Sequence, residues 1–288
     1  MKMAPACRTC ILEQAVTAAK ISGATDALLS RILTRSREIL DTAGDGATAP
    51  EVAADIHRTI MELTGNPDPY RSRKRKSTKE ALAVLPQIQE MVRKSPDPLR
   101  LSLLSAAAGN IIDFGVPSLV VSPWAILEEI DDLRFHHDDL PLLEEELRSA
   151  RTILYLADNA GELVFDRLFF DYATAHLPAR ITLAVRGGPI INDATKKDAL
   201  ESKVDDHINL IDTGASVPGA LLSRASDEFL EIFHESDVVI SKGQGNFEVL
   251  EGVGRTLYFI FKAKCDVVSD YLKVPKGSLM LLQNRPGS

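Results

Sequence analysis

Apolar and polar residues alternate along this chain in two different registers. From Cys10 to Ile21 and from Ala24 to Thr42 the apolar positions recur at helical spacing. Asp41-Thr42-Ala43-Gly44-Asp45-Gly46 interrupts the second run. Thr48-Ala49-Pro50-Glu51 then opens a third helix, which predicts to about Leu63 before Gly65-Asn66-Pro67-Asp68-Pro69 stops it. Tyr70 to Lys79 carries Arg71, Arg73, Lys74, Arg75, Lys76 and Lys79. It reads as a solvated turn opening a helix from Thr78 to Arg93, with a nucleic-acid or localisation patch as the alternative. A further helix, Leu99 to Ala108, leads into Gly109-Asn110-Ile111-Ile112-Asp113-Phe114-Gly115. The acidic stretch Glu128 to Glu146, which contains His136-His137-Asp138-Asp139, reads as a solvated helix–loop face.

The texture changes at Arg151. Short apolar runs, Thr152 to Ala157, Ile181 to Val185, Ile208 to Ile211, Asp237 to Ile240, Tyr258 to Phe261 and Ser278 to Leu282, alternate with helical stretches. That alternation predicts an α/β fold with a mostly parallel sheet. The expected organisation is a helical subdomain over residues 1–145 and a Rossmann-like α/β domain over 146–288.

The net charge of -8 argues against general nucleic-acid binding, which needs a basic face, but leaves room for a small anionic substrate beside local cations or a metal. Apolar runs fall short of the roughly 20 residues of a spanning helix, so no membrane partner is expected. The count of 3 cysteines suits a reduced, cytoplasmic setting. Cys7-Arg8-Thr9-Cys10 is a CxxC that, with Cys265, either binds a soft metal or is incidental. Oligomeric state is not legible.

Candidate chemistry gathers in four segments. The run into Leu156 ends in Asp158-Asn159-Ala160-Gly161-Glu162. Val185 is followed by Arg186-Gly187-Gly188-Pro189-Ile190-Ile191-Asn192-Asp193-Ala194-Thr195. Ile240 leads to Ser241-Lys242-Gly243-Gln244-Gly245-Asn246-Phe247-Glu248, and the helical half supplies Asn110 and Asp113. Loops at the carboxyl ends of neighbouring parallel strands converge, so these segments build one pocket if the sheet is as expected.

Asp158, Asn159 and Asp193 offer hard oxygen donors for a divalent cation such as Mg2+ or Mn2+. Helix capping by Asp158-Asn159, and by Asp193 of a helix from Ala194 to Leu200, is the competing account. Lys242, Arg186, Gly187, Gly243, Gly245 and Asn246 suit an anion, with backbone N–H groups made approachable by glycine. Their alternative is a plain turn. Glu162 is an acid supporting a metal ligand, a base orienting water, or an ordinary first-turn glutamate. Asn110 and Asp113 share a helix face if helical, and reach either the substrate or a cap. There is no P-loop, GxSxG elbow, HExxH or phosphorylated-aspartate DxDx(T/V) pattern. Attack by water on a phosphate ester suits these residues better than a covalent intermediate.

With these motifs in order across nearly the whole chain, the sequence resembles the damage-control phosphatase family, formerly domain of unknown function 89 and also called ARMT1-like. The N-terminal Cys7-x-x-Cys10 is similar to its short prokaryotic branch. The resemblance implies a three-layer α/β/α domain with a helical subdomain. It implies a divalent metal at Asp158, Asn159 and Asp193, with Lys242 on the substrate phosphate. The implied activity is hydrolysis of small phosphomonoesters, sugar phosphates or damaged and surplus phosphometabolites, with Mn2+, Co2+ or Ni2+ often preferred to Mg2+. Two other functions remain open: an adenosylmethionine-dependent carboxyl methyltransferase, although no clear glycine-rich loop for that cofactor is present, and a non-catalytic protein that binds metal and phosphometabolite.

Overall fold

The computed structural model describes residues 1–109, 130, 132–204 and 207–284. Five helices come first: α1 (Pro5–Ile21), α2 (Asp26–Thr42), α3 (Ala49–Thr64), α4 (Arg71–Lys94) and α5 (Pro98–Ala108). Local chemistry sets their ends. Thr48 caps α3 by accepting from the Glu51 N–H at 3.3 Å, Pro50 sits in the first turn, and Gly65 closes the helix in the left-handed region at φ 67°. Ile11, Ala15, Ile32, Leu40, Val52, Ile56 and Ile60 form the core shared by α1, α2 and α3.

The basic stretch is not a turn. α4 begins at Arg71, so the cations lie within its first turns. Their charge is matched by acids near and far in sequence: Lys74 Nζ lies 3.0 Å from both Asp68 and Asp198, and Arg71 pairs with Asp198 at 2.9 Å and also with Glu201. Periodicity alone could not place this start, because tertiary ion pairs hold it.

The remaining elements are β1 (Phe135–Asp138), α6 (Leu140–Ser149), β2 (Thr152–Leu156), α7 (Leu163–His176), β3 (Arg180–Val185), α8 (Lys196–Glu201), β4 (Asn209–Asp212), α9 (Asp227–Glu235), β5 (Val238–Lys242), α10 (Gln244–Leu250), β6 (Leu257–Lys262), α11 (Asp266–Leu272) and β7 (Leu279–Asn284). All six expected strands are present. β1 is an addition: His136-His137-Asp138 is part of an edge strand pairing with β7, not a helix–loop face. Only Phe135 of this strand is buried, so it has no apolar alternation to betray it.

The sheet order is β1-β7-β6-β5-β2-β3-β4. β4, β3, β2, β5 and β6 are mutually parallel, and β7 runs antiparallel to β6. The chain moves outward from β2 through β3 to β4, then returns to place β5 on the other side of β2. The crevice between the carboxyl ends of β2 and β5 is therefore the topological switch point, where open α/β sheets bind ligands.

Side-chain alternation divides the core in two. Ile153, Tyr155, Leu183, Val185 and Ile240 face α5, α6 and α7, whereas Leu154, Leu156, Ala184, Val239 and Phe259 face α9, α10 and α11. This is the expected three-layer α/β/α arrangement. The expected division at 145/146 falls inside α6, and β1 already belongs to the sheet. The helical half also packs onto the α/β half: Ala81, Val84 and Ile88 of α4 share a core with Val164, Phe165 and Leu168 of α7. Among the described residues no helix is long and apolar enough to cross a membrane.

Candidate functional site

Three strands deliver the site. β2 ends in Asp158-Asn159, β3 runs into Arg186, and β5 carries Lys242 at its last position. Backbone hydrogen bonds lace the first two loops together. The Ala194 N–H donates to Asp158 O at 2.8 Å, Ala160 N–H to Asn192 O at 3.0 Å, and Arg186 N–H to Ala194 O at 2.8 Å. Asn159 and Asp193 thereby become opposed residues of a short antiparallel bridge. Preceding Asn192-Asp193, Ile191 has φ 43°, an uncommon conformation for a β-branched residue, while its side chain packs against the α1–α3 core. Gly243 has φ 83° and ψ 154°, a conformation nearly reserved for glycine. A Cβ there would land on the Asp158 carboxylate.

The convergence puts charge where water is scarce. Asp158, Glu162, Asp166 and Asp193 are buried, and so are Arg186 and Lys242. Arg186 Nε donates to Asp193 Oδ2 at 2.7 Å, and its Nη2 stands 3.8 Å from Asp158 Oδ1. Both Nη atoms of Arg186 are buried without a hydrogen-bond partner among the described residues. Lys242 is the opposite case. Its Nζ donates to Asp166 Oδ1 at 2.7 Å, to Ala106 O at 2.8 Å and to Glu162 Oε2 at 3.3 Å, which uses all three donors of the ammonium. Tyr155 OH, which sequence reasoning passed over, donates to Asp166 Oδ1 at 2.8 Å.

Four buried carboxylates face two buried cations, so the cluster holds two more negative than positive groups. The carboxyls register this. Burial pushes Asp193 up to about 7; Arg186 opposes the shift and Asp158 adds to it. Burial likewise raises Glu162, against the pull of Lys242, with Asp158 again adding to the rise. Each Glu162 oxygen nevertheless receives an N–H donor, from Asn159 at 2.6 Å and Lys242 at 3.3 Å. Both oxygens thus act as acceptors, the role that the ionised form fills. Lys242 is raised: burial alone would lower it, but Asp166 and Glu162 outweigh that.

This donor set fits a divalent cation. Asp158 and Asp193 are buried carboxylates, and the Asn159 amide turns its nitrogen to Asp158 at 3.2 Å and to Glu162 at 2.6 Å, so that its oxygen points away from both carboxylates. Among the described residues no cluster of three or more His, Cys, Asp or Glu is disposed to hold a metal. The set here is two carboxylates and one amide. Cys7, Cys10 and Cys265 are unpaired, and Cys265 Sγ accepts from Gln244 Nε2 at 3.4 Å.

The other expected residues separate. Asn246 spends its amide on the backbone, donating to Lys242 O at 2.6 Å and Ala157 O at 3.1 Å and accepting from Ala220 N at 2.7 Å. It fixes the loop and keeps no donor for an anion. Gly187 and Gly245 admit neighbouring loops: a Cβ would stand 2.5 Å from Ala215 N and 2.6 Å from Pro218 O, respectively. Asp193 does not cap a helix. Thr195 does, with its N–H donating to Asp198 Oδ2 at 3.0 Å, and α8 begins at Lys196. Asn110 and Asp113 lie outside the described residues. Asp166, by contrast, was missed although it had a signal: one carboxylate on the apolar face of Leu163–Tyr172, four residues after Glu162.

Comparison with known proteins identifies the family. Residues 3–280 match the model of the Damage-control phosphatase ARMT1-like domain. Similar proteins include damage-control phosphatase PH1575 of Pyrococcus horikoshii, 33% identical with 99% of each chain covered, and a damage-control phosphatase of Archaeoglobus fulgidus, 32% identical with 97% of this chain and 98% of that one covered. The crystal structure of the Pyrococcus horikoshii protein, described as a DUF89 family protein, superposes with a TM-score of 0.90 at 33% identity, covering 99% of this chain and 100% of that one. With the family model spanning most of its length and the fold matched throughout, the chain belongs to the damage-control phosphatase family.

Proposed function

We propose that this phosphatase is a divalent-cation-dependent hydrolase of small phosphomonoesters such as sugar phosphates, in which Asp158, Asn159 and Asp193 hold the cation. The observation that carries the reading is Arg186: a buried guanidinium tied to Asp193 through Nε at 2.7 Å, with two Nη groups that have no hydrogen-bond partner among the described residues. A buried cationic fork beside carboxylates suits a phosphoryl group. When bound, the cation supplies Lewis-acid polarisation of the phosphoryl group and activates water.

The chain's own residues do the rest. Arg186 donates to the phosphoryl oxygens and stabilises charge as it spreads over them. Asp193 orients Arg186. Gly243 leaves the space in which the Asp158 carboxylate sits. Burial of the whole cluster keeps bulk water from screening these interactions. Lys242 contributes its positive charge from beneath the site, because its three donors are engaged. The three unpaired cysteines suit a reducing, cytoplasmic setting.

The test is phosphate release from p-nitrophenyl phosphate and a sugar-phosphate panel by metal-stripped protein, with Mn2+, Co2+, Ni2+ or Mg2+ restored, beside Asp158→Ala. Turnover that needs the cation and disappears in the variant is the expected result. Tight cation binding with no turnover on any ester would replace this reading with a phosphometabolite-binding protein.

A further inference from the structure

The residues beneath the cation ligands form one hydrogen-bonded chain. Ala106 O, at the end of α5, and Asp166 Oδ1, on α7, hold Lys242 Nζ at 2.8 and 2.7 Å. Lys242 holds Glu162 Oε2 at 3.3 Å, and Glu162 Oε1 receives Asn159 Nδ2 at 2.6 Å. Tyr155 OH anchors Asp166 from the sheet at 2.8 Å. An ammonium has only donors and an ionised carboxylate only acceptors, so the polarity of this chain is fixed at every link. Its last link decides which end of the Asn159 amide faces Glu162.

We infer that Glu162 is a positioning residue: braced by Lys242 and Asp166, it captures the Asn159 nitrogen and thereby presents the Asn159 oxygen to the cation. This rests on the reading of Asp158, Asn159 and Asp193 as ligands. It assigns Glu162 no contact with substrate. It also gives Lys242 a role that does not require release from its three acceptors.

The inference makes an unusual demand on substitutions. In Glu162→Gln, Lys242 still requires an oxygen, so the new amide must turn its nitrogen toward Asn159. Two NH2 groups then oppose each other, and Asn159 flips to present nitrogen to the cation. In Asn159→Asp, two carboxylates oppose each other. In Asn159→Asp/Glu162→Gln, the acid and amide have exchanged places. The hydrogen bond returns with reversed polarity, the net charge equals that of the starting protein, and an oxygen again faces the cation.

The experiment measures Mn2+ affinity of the four full-length proteins by calorimetry and electron paramagnetic resonance, without substrate, after circular dichroism confirms folding. Glu162→Gln should weaken Mn2+ binding about tenfold or more in the Asn159 background, the usual scale for a group that orients a ligand. In the Asn159→Asp background the same change should strengthen binding. If Glu162→Gln alone does not fold, Asn159→Asp and the double variant suffice. The double variant should bind Mn2+ more tightly although it carries one fewer negative charge, the reverse of what Coulomb attraction alone predicts. Equal losses in both backgrounds, or weaker binding by the double variant than by Asn159→Asp, would overturn the inference while leaving the ligand set standing. Failure of the unsubstituted protein to bind Mn2+ would overturn both.

Discussion

Gly243→Ala is the smallest change that tests whether the β5 loop is shaped around Asp158. The residue has φ 83° and ψ 154°, and its N–H donates to Ile260 O at 3.0 Å, so the backbone is pinned in a region that alanine avoids. Holding a non-glycine residue there costs about 1–3 kcal/mol. For a chain of this size that lowers Tm by roughly 2–10 °C. The added methyl is also directed into the Asp158 carboxylate. Because β5 and β2 are adjacent and in register from Ile153–Val238 to Leu156–Ser241, the carboxylate gives way more readily than the strands. A shift of about 1 Å at a cation ligand is enough to lower kcat by about a hundredfold. The assay is calorimetric Tm together with kcat at saturating Mn2+. Gly46→Ala serves as control, since a Cβ at Gly46 meets nothing within 4 Å. Unchanged Tm and kcat in Gly243→Ala, matching the control, would refute the claim that this glycine exists to admit Asp158.

Two further outcomes follow from the same structure. Arg186→Lys keeps the charge but loses the fork that lets one side chain hold Asp193 and an anion together. Inhibition by inorganic phosphate should weaken about 10- to 100-fold, and an unchanged inhibition constant would remove Arg186 from phosphate binding. Burial holds His57, on α3, down to about 4 from an ordinary 6.5. It therefore stays neutral in the fold while the unfolded chain takes up a proton, so its contribution to stability is complete above 6.5 and is lost as pH falls towards 4. Denaturant titrations should show a loss of about 2 kcal/mol between pH 7 and pH 5 that is absent from His57→Leu. Identical pH profiles would contradict that assignment.

Much of the architecture was legible because burial wrote it into the pattern. Leu154, Tyr155 and Leu156 are all fully buried, so β2 reads as a continuous apolar run, and the polar residues that end it mark the carboxyl edge. Polar residues at or after the ends of β2, β3 and β5 drew attention to Asp158, Asn159, Arg186, Asp193 and Lys242, which the fold gathers into one buried cluster. What escaped depends on partners far away in sequence. The start of α4 is secured by Lys74 and Arg71 reaching Asp198, more than 120 residues later. β1 has one buried residue and is defined by its pairing with β7. Lys242 read as a phosphate ligand because a lysine in a glycine-rich loop has that chemistry. Only the three-dimensional arrangement reveals Ala106, Glu162 and Asp166 around its ammonium. Asn246 likewise looked available, and its amide is consumed by Ala157, Lys242 and Ala220.

The central claim is that Asp158, Asn159 and Asp193 share one divalent cation. Anomalous X-ray scattering from crystals of the full chain grown with Mn2+ tests it most directly. The account predicts a single strong peak roughly 2.0–2.3 Å from an oxygen of each of the three side chains, with Arg186 adjacent to but not touching it. A peak elsewhere, for instance among Cys7, Cys10 and Cys265, with none between Asp158 and Asp193, would contradict it.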